Sequence, residues 1–242
     1  MTYCLAINVN EGLVFCSDSR TNAGTDNVSV YSKMHTFTWP SERSFVLLSA
    51  GNLATTQAVV KRLRGDVANG LLPNLKSLET LQDATDYVGA VSTWVQKQQS
   101  GRDTANTNFE ATFIFGGQIG QTPPETFLVY PQGNYIHESN EHPFLQVGEA
   151  KYGKPILDRV LKRTTDLGRA ARCALVSMNS TVRSNVTVGP PVELLLYQRD
   201  SLGEGRRCVY QEDNPFAREL AERWNAGLMQ ALENLPRFPW EY

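Results

Sequence analysis

The stretch Thr2–Asp18 reads TYCLAINVNEGLVFCSD, and its pattern predicts a β-hairpin. Apolar residues alternate with smaller ones along its first half, which is the two-residue period of a half-buried strand. Gly12 supplies the positive φ that a tight hairpin turn needs. Pairing outward from that turn brings Asp18 back beside the beginning of the chain. A carboxylate is therefore expected next to the first residues of the protein.

Thr2 becomes chemically important if the initiator methionine is removed, and its small side chain favours that removal. The mature chain would then begin with a hydroxyl nucleophile and a free α-amine on the same residue. The amine has an unperturbed pKa of about 7.7–8.0, so part of it is neutral at cellular pH. It can accept the hydroxyl proton directly or through a water molecule. Because any ordinary protein can begin Met-Thr, Thr2 alone is weak evidence for catalysis.

The composition is that of an ordinary globular protein, with 41% of the 242 residues hydrophobic and 20% charged. This length fits one domain or at most two, and we expect one domain over residues 1–242. A formal net charge of −2 gives no reason to expect nucleic acid as a partner. No apolar run approaches the roughly 20 residues of a membrane span, and no signal peptide is evident at the N-terminus. We therefore expect a cytoplasmic protein that binds neither nucleic acid nor membrane.

The cysteines and histidines show no spacing typical of a metal site. Cys4 and Cys16 lie on adjacent predicted strands and could be close together. In a reducing cytosol, small buried hydrophobic residues are the favoured interpretation of the cysteines. A Ser-His-Asp triad has little support, and we expect no metal and no organic cofactor.

Beyond the hairpin, the sequence predicts runs of strands separated by pairs of helices. Residues 19–27 and 100–108 are polar and are predicted to be loops. The predicted strands are Val28–Tyr31, Lys33–Trp39, Phe45–Ala50, Glu110–Gly116, Thr126–Tyr130, Asn134–Ser139, Val192–Gln198 and Arg207–Gln211. The predicted helices are Asn52–Arg64, Ser77–Gln99, Ala150–Thr165, Arg169–Asn179 or slightly beyond, and Pro215–Leu235. Segregated runs of this kind favour an α+β fold with two antiparallel sheets face to face and helix pairs outside.

Several motifs together resemble the β-subunits of the proteasome, and the similarity runs over nearly the whole chain. They are Thr2, the strand GLVF at 12–15 running into SDSR at 17–20, Lys33, and SAG at 49–51. Two further stretches resemble one branch of that family, the bacterial ancestral β-subunit group Anbu. They are VGEAKYGKPILDR at 147–159 and SMNSTVRSN at 177–185, with Val188-Gly189 after it. The resemblance implies the N-terminal-nucleophile hydrolase fold, a four-layer αββα sandwich.

The resemblance also implies a role for each matching residue. Thr2 would be the nucleophile and, through its amine, the base, while Asp18 would hold Lys33 as an ion pair. Lys33 would lower the cost of forming the alkoxide and take part in proton transfer. The backbone N–H of Gly51 would donate to the oxyanion of the tetrahedral intermediate. Asn179 matches an aspartate that proteasomes hydrogen-bond toward the terminal amine, and it can accept that bond without carrying a charge.

Each of these residues also has an ordinary structural interpretation. Asp18 alone would be a turn former, Lys33 a solvated surface charge and Gly51 a glycine at the entry to a helix. The four residues together, in one order with Thr2, favour a catalytic set. One departure from proteasomes is Glu149, which stands where they commonly have a serine, as the Anbu group would lead one to expect.

The expected function is that of a threonine peptidase that cleaves peptides or unfolded proteins within a homo-oligomer. The resemblance implies a ring or, in the Anbu group, an open helical stack, and an unfoldase partner is left open. One alternative is a structural ring or scaffold subunit with weak or no hydrolysis, which Asn179 favours. Another is an N-terminal-nucleophile amidase acting on small molecules. The aromatic residues Phe238, Trp240 and Tyr242 form a candidate subunit contact, or they pack on the chain's own surface.

Overall fold

The computed structural model of the chain describes residues 1–22, 28–101 and 107–241, and these residues form an α+β fold with antiparallel sheets. The strands in these ranges are β1 (Tyr3–Val9), β2 (Gly12–Ser17), β3 (Arg20–Asn22), β4 (Val28–Val30), β5 (Met34–Trp39), β6 (Arg43–Gly51), β7 (Ala111–Ile119), β8 (Glu125–Val129), β9 (Tyr135–His137), β10 (Phe144–Gly148), β11 (Val192–Gln198) and β12 (Arg206–Tyr210). The helices are α1 (Leu53–Ala68), α2 (Leu81–Ser100), α3 (Ala150–Val160), α4 (Leu167–Ser184) and α5 (Pro215–Glu233). None of the helices in the described ranges is both long and apolar enough to cross a bilayer.

The predicted hairpin forms β1 and β2 at the centre of the first sheet, whose strand order is β10-β1-β2-β11-β12. Val9 pairs with Gly12, so the turn is the two residues between them. Gly12 has a φ of +149°, and a Cβ there would lie 2.0 Å from the carbonyl oxygen of Tyr197 on β11. Glycine is required at this position because the neighbouring strand passes so close.

The register of the hairpin decides what lies near the N-terminus. Cys4 pairs with Ser17, and the backbone N–H of Asp18 donates to the carbonyl oxygen of Tyr3 at 3.2 Å. Asp18 therefore lies beside the start of β1, as the hairpin predicts.

The second sheet has the strand order β5-β6-β7-β8-β9, and a separate ribbon is formed by β3 and β4. In the second sheet β6 pairs with β7 along its whole length, from Arg43 to Gly51. The chain turns at 131–133 between the predicted strands Thr126–Tyr130 and Asn134–Ser139, where the N–H of Tyr130 donates to the carbonyl oxygen of Asn134 at 2.8 Å. The ribbon pairs Arg20 with Val30 and continues from the end of β2.

Three apolar clusters hold the sheets and helices together. One lies between the two sheets and includes Cys4, Ala6, Phe15, Met34, Leu48 and Ile114. The second packs the first sheet on α3 and α4 and includes Tyr3, Leu5, Ile7, Leu157, Ala174 and Met178. The third packs the second sheet on α1 and α2 and includes Phe45, Leu47, Val59, Leu63, Val88 and Phe113. Successive side chains of a strand point to opposite faces, so even positions of β1 face the second sheet and odd positions face the helices.

The helix starts follow capping side chains rather than the predicted bounds. Asn52 caps α1 by accepting a hydrogen bond from the N–H of Thr55 at 3.1 Å. The predicted start of the second helix at Ser77 is wrong, because Thr80 is the cap and accepts from the N–H of Asp83 at 3.0 Å. Asp166 caps α4 in the same way, so α4 begins two residues before the predicted Arg169.

Other predicted bounds are also corrected by the structure. The predicted loop at 19–27 contains β3, and its residues 23–27 lie outside the described ranges, as do 102–106 of the second predicted loop. Strand β10 was not predicted, because FLQVG lacks a clean alternation. The helix α3 ends at Val160 instead of Thr165, since Leu161 turns extended at ψ 136°. Helix α4 runs on to Ser184 past the predicted end at Asn179. Tyr242 of the aromatic tail lies outside the described residues, while Phe238 and Trp240 stack with ring centroids 4.7 Å apart.

Candidate active site

The Asp18 carboxylate is fully buried just after β2 ends. Its Oδ1 accepts a hydrogen bond from the backbone N–H of Tyr3 at 3.0 Å and another from the ammonium of Lys33 at 2.7 Å. Its Oδ2 accepts from the backbone N–H of Gly189 at 3.3 Å. A single carboxylate oxygen therefore joins the lysine ammonium to the peptide bond between Thr2 and Tyr3.

Lys33 is buried to 6% exposure immediately before β5, and its ammonium has a second acceptor. Nζ donates to the carbonyl oxygen of Arg20 at 2.7 Å as well as to Asp18. Burial raises the pKa of the Asp18 carboxyl above its ordinary value, and the Lys33 ammonium and two backbone N–H groups oppose that rise. A buried pair of this kind is sustained only by good geometry and further hydrogen bonds, and both are present here.

Thr2 is partly exposed and is held through its backbone. Its carbonyl oxygen accepts a hydrogen bond from the N–H of Glu149 at 2.8 Å. Gly148 makes this possible, because it has a φ of +84° and a Cβ there would lie 1.8 Å from that oxygen. Side chains alternate along β1, so Thr2 lies on the same face as Cys4. That face points toward the second sheet, and Thr2 is at the end of the strand where Lys33 lies.

Gly51 is exposed at the end of β6 with a φ of +105°. On the β5 side, the N–H of Ser49 donates to the carbonyl oxygen of Lys33 at 2.9 Å. On the β7 side, the N–H of Asn52 donates to the carbonyl oxygen of Glu110 at 2.9 Å. Alternation along the strand therefore directs the N–H of Gly51 to the β5 side. Since β5 begins only at Met34, that N–H lies past the end of the ladder between β5 and β6.

The structure does not bring Asn179 into this cluster. Asn179 lines a groove between α4 and α5 together with Met178 and Ala221, and it makes no hydrogen bond to residues 1–3 of the described chain. Ser177, two residues earlier, is the α4 residue that contacts Tyr3. Two residues correspond to a rotation of roughly 200° around a helix, so Asn179 faces away from the N-terminus.

Gly189, in the segment that follows α4, contacts the site although the sequence does not predict a role for it. Besides the bond from its N–H to Asp18, its carbonyl oxygen accepts from the N–H groups of Ser19 and Arg20, both at 3.3 Å. A Cβ at position 189 would lie 2.3 Å from the guanidinium carbon of Arg20, which itself donates to the carbonyl oxygen of Val186 at 2.8 Å. The Val188-Gly189 motif is visible in the sequence, but the sequence does not show that Gly189 contacts Asp18.

Glu149 is also buried, with 7% exposure, and its nearest cation is the ammonium of Lys151 at 3.7 Å. Its backbone N–H holds Thr2, so a residue that differs from the proteasome pattern lies directly beside the expected nucleophile.

The cysteines have no role in the site geometry as ligands or as a disulfide. Cys4 packs between the sheets and Cys16 packs against the helices, so the two thiols are on opposite faces of the first sheet. All four cysteines are free. Across the described part of the chain, no group of three or more His, Cys, Asp or Glu residues could hold a metal ion.

No family model and no curated protein matches the chain, whereas solved structures match it over nearly its whole length. Anbu from Pseudomonas aeruginosa, described as a helical assembly of the Anbu complex, is 44% identical with a TM-score of 0.94, and 99% of each chain is covered. Anbu (ancestral beta-subunit) from Yersinia bercovieri is 39% identical with a TM-score of 0.93, covering 99% of this chain and 100% of that one. The Gly-1 mutant of Anbu from Hyphomicrobium sp. strain MC1 is 41% identical with a TM-score of 0.92, covering 98% of this chain and 99% of that one. The chain belongs to the Anbu group of proteasome-type β-subunits.

Proposed function

We propose that this protein is a threonine peptidase whose nucleophile is Thr2 after removal of Met1. The observation that carries the proposal is the shared Oδ1 of Asp18, which binds Lys33 and the peptide bond that follows Thr2. A cation near a terminal hydroxyl would lower the cost of forming its alkoxide. Met1 is 62% exposed, so its removal disturbs little packing.

The reaction would proceed through an ester on Thr2. The Thr2 oxygen bonds to the substrate carbonyl carbon while its proton passes to the α-amine, and the carbonyl electron pair moves onto oxygen. The N–H of Gly51 donates to that oxyanion, and one such donor is worth about 2.7–4 kcal/mol of barrier. Collapse of the intermediate breaks the C–N bond, and the leaving amine takes the proton from the Thr2 ammonium. Water then attacks the ester, and the released oxygen of Thr2 regains a proton.

The proposal includes the fold of the N-terminal-nucleophile hydrolases, a four-layer αββα sandwich built as one domain in a cytoplasmic protein. Its support is the order of the three apolar clusters, helices on sheet, sheet on sheet and sheet on helices. In such an arrangement the cleft between the sheets opens at the end where Thr2, Lys33 and Gly51 lie.

The proposal also includes a homo-oligomer that takes peptides or unfolded protein. Helix α5 has no buried residue, although its apolar stripe repeats every three or four residues. Leu220 packs partly on α4, whereas Leu228 and Leu232 continue the stripe at 50% and 59% exposure, and Leu235, just past the end of the helix, is 60% exposed. An apolar face of this length without a partner fits a contact with a second copy. The Pseudomonas relative is described as a helical assembly.

A scaffold subunit with weak hydrolysis is the second candidate, and one observation favours it. Asn179 faces α5 instead of the terminal amine, so no acidic side chain of α4 supports an ammonium at Thr2. Both candidates are expected to assemble, but only the peptidase is expected to cleave peptides efficiently.

Peptide cleavage by the wild type and two variants tests the choice. Intact mass first establishes that Met1 has been removed, and a fluorogenic peptide then reports hydrolysis. We expect Thr2→Ala to abolish cleavage while assembly is retained, and Thr122→Ala, an exposed threonine far along the chain, to cleave like the wild type. Full turnover by Thr2→Ala would exclude Thr2 as the nucleophile. A trimmed wild type that assembles without cleaving supports the scaffold.

A further inference from the structure

Three polar side chains meet inside the otherwise apolar cluster between the first sheet and its helices. The Tyr3 side chain is fully buried there, and its hydroxyl accepts a hydrogen bond from Nε2 of Gln146 on β10 at 2.5 Å. The same hydroxyl forms a second hydrogen bond, with Oγ of Ser177 on α4, at 2.7 Å. Residue 153 must be glycine, since a Cβ there would lie 2.6 Å from the Tyr3 oxygen and 2.1 Å from Ser177 Oγ. The space on α3 is left open for this trio.

The trio is not needed to fill the core. A phenylalanine at position 3 would bury the same ring without taking its hydroxyl out of water. Buried polar networks that are fully satisfied favour one arrangement of the groups they join over nearby alternatives. The hydroxyl of Tyr3 therefore specifies where this residue sits between β10 and α4.

The backbone of the same residue belongs to the candidate active site. Its N–H binds the Asp18 oxygen that also binds Lys33, so a shift of Tyr3 would move the hydrogen bond that orients the ion pair. Once Met1 is removed, the peptide bond to Tyr3 is the only covalent attachment of Thr2. The placement of the Thr2 hydroxyl and amine then depends on how firmly Tyr3 is held.

We propose that the hydroxyl of Tyr3, bound by Gln146 and Ser177, is a positioning device for the N-terminal nucleophile. This inference rests on the proposed function of Thr2 and extends it to a residue that does not touch substrate. Tyr3 acts through its own backbone on Asp18, Lys33 and Thr2.

The test compares two buried tyrosines that each lose one hydroxyl. Tyr3→Phe removes the bonds to Gln146 and Ser177. Tyr197→Phe is the matched control, because Tyr197 is 1% exposed and its hydroxyl donates to Gln118 at 2.8 Å and accepts from the N–H of Leu202 at 3.3 Å. Both variants are measured as trimmed, assembled protein. Ser177→Ala serves as a second variant, and decides the question if Tyr3→Phe does not fold.

Two readouts are needed, one kinetic and one independent of activity. With a peptide epoxyketone, we expect Tyr3→Phe to slow the maximal labelling rate of Thr2 tenfold to a hundredfold at nearly unchanged probe affinity, because the nucleophile is misplaced. By amide hydrogen exchange, we expect the N–H of residue 3 to exchange at least tenfold faster than in wild type. Tyr197→Phe should leave both quantities unchanged, although it loses a comparable amount of thermal stability.

The outcomes separate this inference from the function on which it rests. Unchanged exchange of the residue 3 amide in Tyr3→Phe and in Ser177→Ala would overturn the positioning role. Equal slowing of labelling by Tyr197→Phe would overturn it too, since the effect would then be general loss of stability. If the wild type never labels, the peptidase proposal fails, and the amide exchange comparison still decides whether the Tyr3 hydroxyl holds the N-terminal backbone.

Discussion

Asp18 and Lys33 form an ion pair that is buried away from water, and removing only one of the two charges costs stability. Neither residue is needed to complete an apolar cluster, so a role in catalysis explains the pair better than a role in packing. Replacing Lys33 alone would leave the carboxylate of Asp18 buried with only two backbone N–H donors. The consequences for stability and for catalysis can therefore be separated by mutation.

We expect Lys33→Met to lower the free energy of unfolding by about 3–5 kcal/mol, the usual cost of stranding one partner of a buried ion pair. The double variant Asp18→Asn/Lys33→Met should regain most of that loss, because no uncompensated charge remains. Both should lose peptidase activity by about 10²–10⁴-fold. Denaturant titration and peptide cleavage measure the two effects. Recovery of activity together with stability in the double variant would contradict a catalytic role for the pair.

Gly148 packs directly against the backbone of Thr2 in the candidate active site. We expect Gly148→Ala to abolish labelling of Thr2, because its Cβ would lie 1.8 Å from the Thr2 carbonyl oxygen and force β1 and β10 apart. Gly70→Ala is the control, since Gly70 also has a positive φ, +64°, but its Cβ would meet nothing within 4 Å. Both should show the roughly 1–3 kcal/mol of backbone strain in the free energy of unfolding. Equal labelling of the two variants would show that the contact at Thr2 is unimportant.

The hairpin of β1 and β2 could be predicted because the sequence pattern that specifies it lies within a short stretch of the chain. Alternating apolar residues and one turn glycine specify a register, and the register alone brings Asp18 to Tyr3. The contact of Gly189 with Asp18 could not be predicted in this way, because it joins residues 171 positions apart through a segment without periodicity. Asn179 was assigned by resemblance, and the rotation of α4 decides which of its residues faces Tyr3.

Strand β5 carries a partly buried histidine, His35, whose pKa is set by its surroundings. Partial burial and the cations of Arg64 and Arg207 lower the pKa of His35 to about 4, against the opposing effect of Glu193. The unfolded chain, with an ordinary pKa of about 6.5, binds more protons between these values, so the free energy of unfolding falls as pH falls from about 6.5 to 4.

We expect His35→Gln to make that fall shallower, by at most about 3 kcal/mol over the window. Denaturant titrations of both proteins at a series of pH values measure the difference in slope. An identical pH dependence in the two proteins would show that His35 is not held neutral by its surroundings.

At the scale of the whole molecule, α5 is the element that the described chain leaves uncovered. Its outer half continues an apolar stripe past the part that packs on α4, and a groove beside it is lined by Val160, Cys173 and Trp224. An exposed apolar surface of this kind in a monomer would favour association. The assembly is thus expected to depend on α5 while the active site does not.

We expect Leu228→Lys/Leu232→Lys to shift sedimentation toward smaller species by placing two charges in the contact. Leu72→Lys, which alters a leucine that is 77% exposed on another surface, should sediment like the wild type. Analytical ultracentrifugation at several concentrations distinguishes these outcomes. Unaltered assembly of the α5 variant would move the contact elsewhere on the surface.

Thr2 is proposed to react through both its oxygen and its nitrogen, and a peptide epoxyketone tests both atoms at once because it forms a bond to each. The measurement is peptide mapping by mass spectrometry of the trimmed, assembled protein after reaction. We predict one adduct per chain, located on Thr2, and none in Lys33→Met. A trimmed protein that cleaves peptides yet carries no adduct on Thr2 would contradict the account.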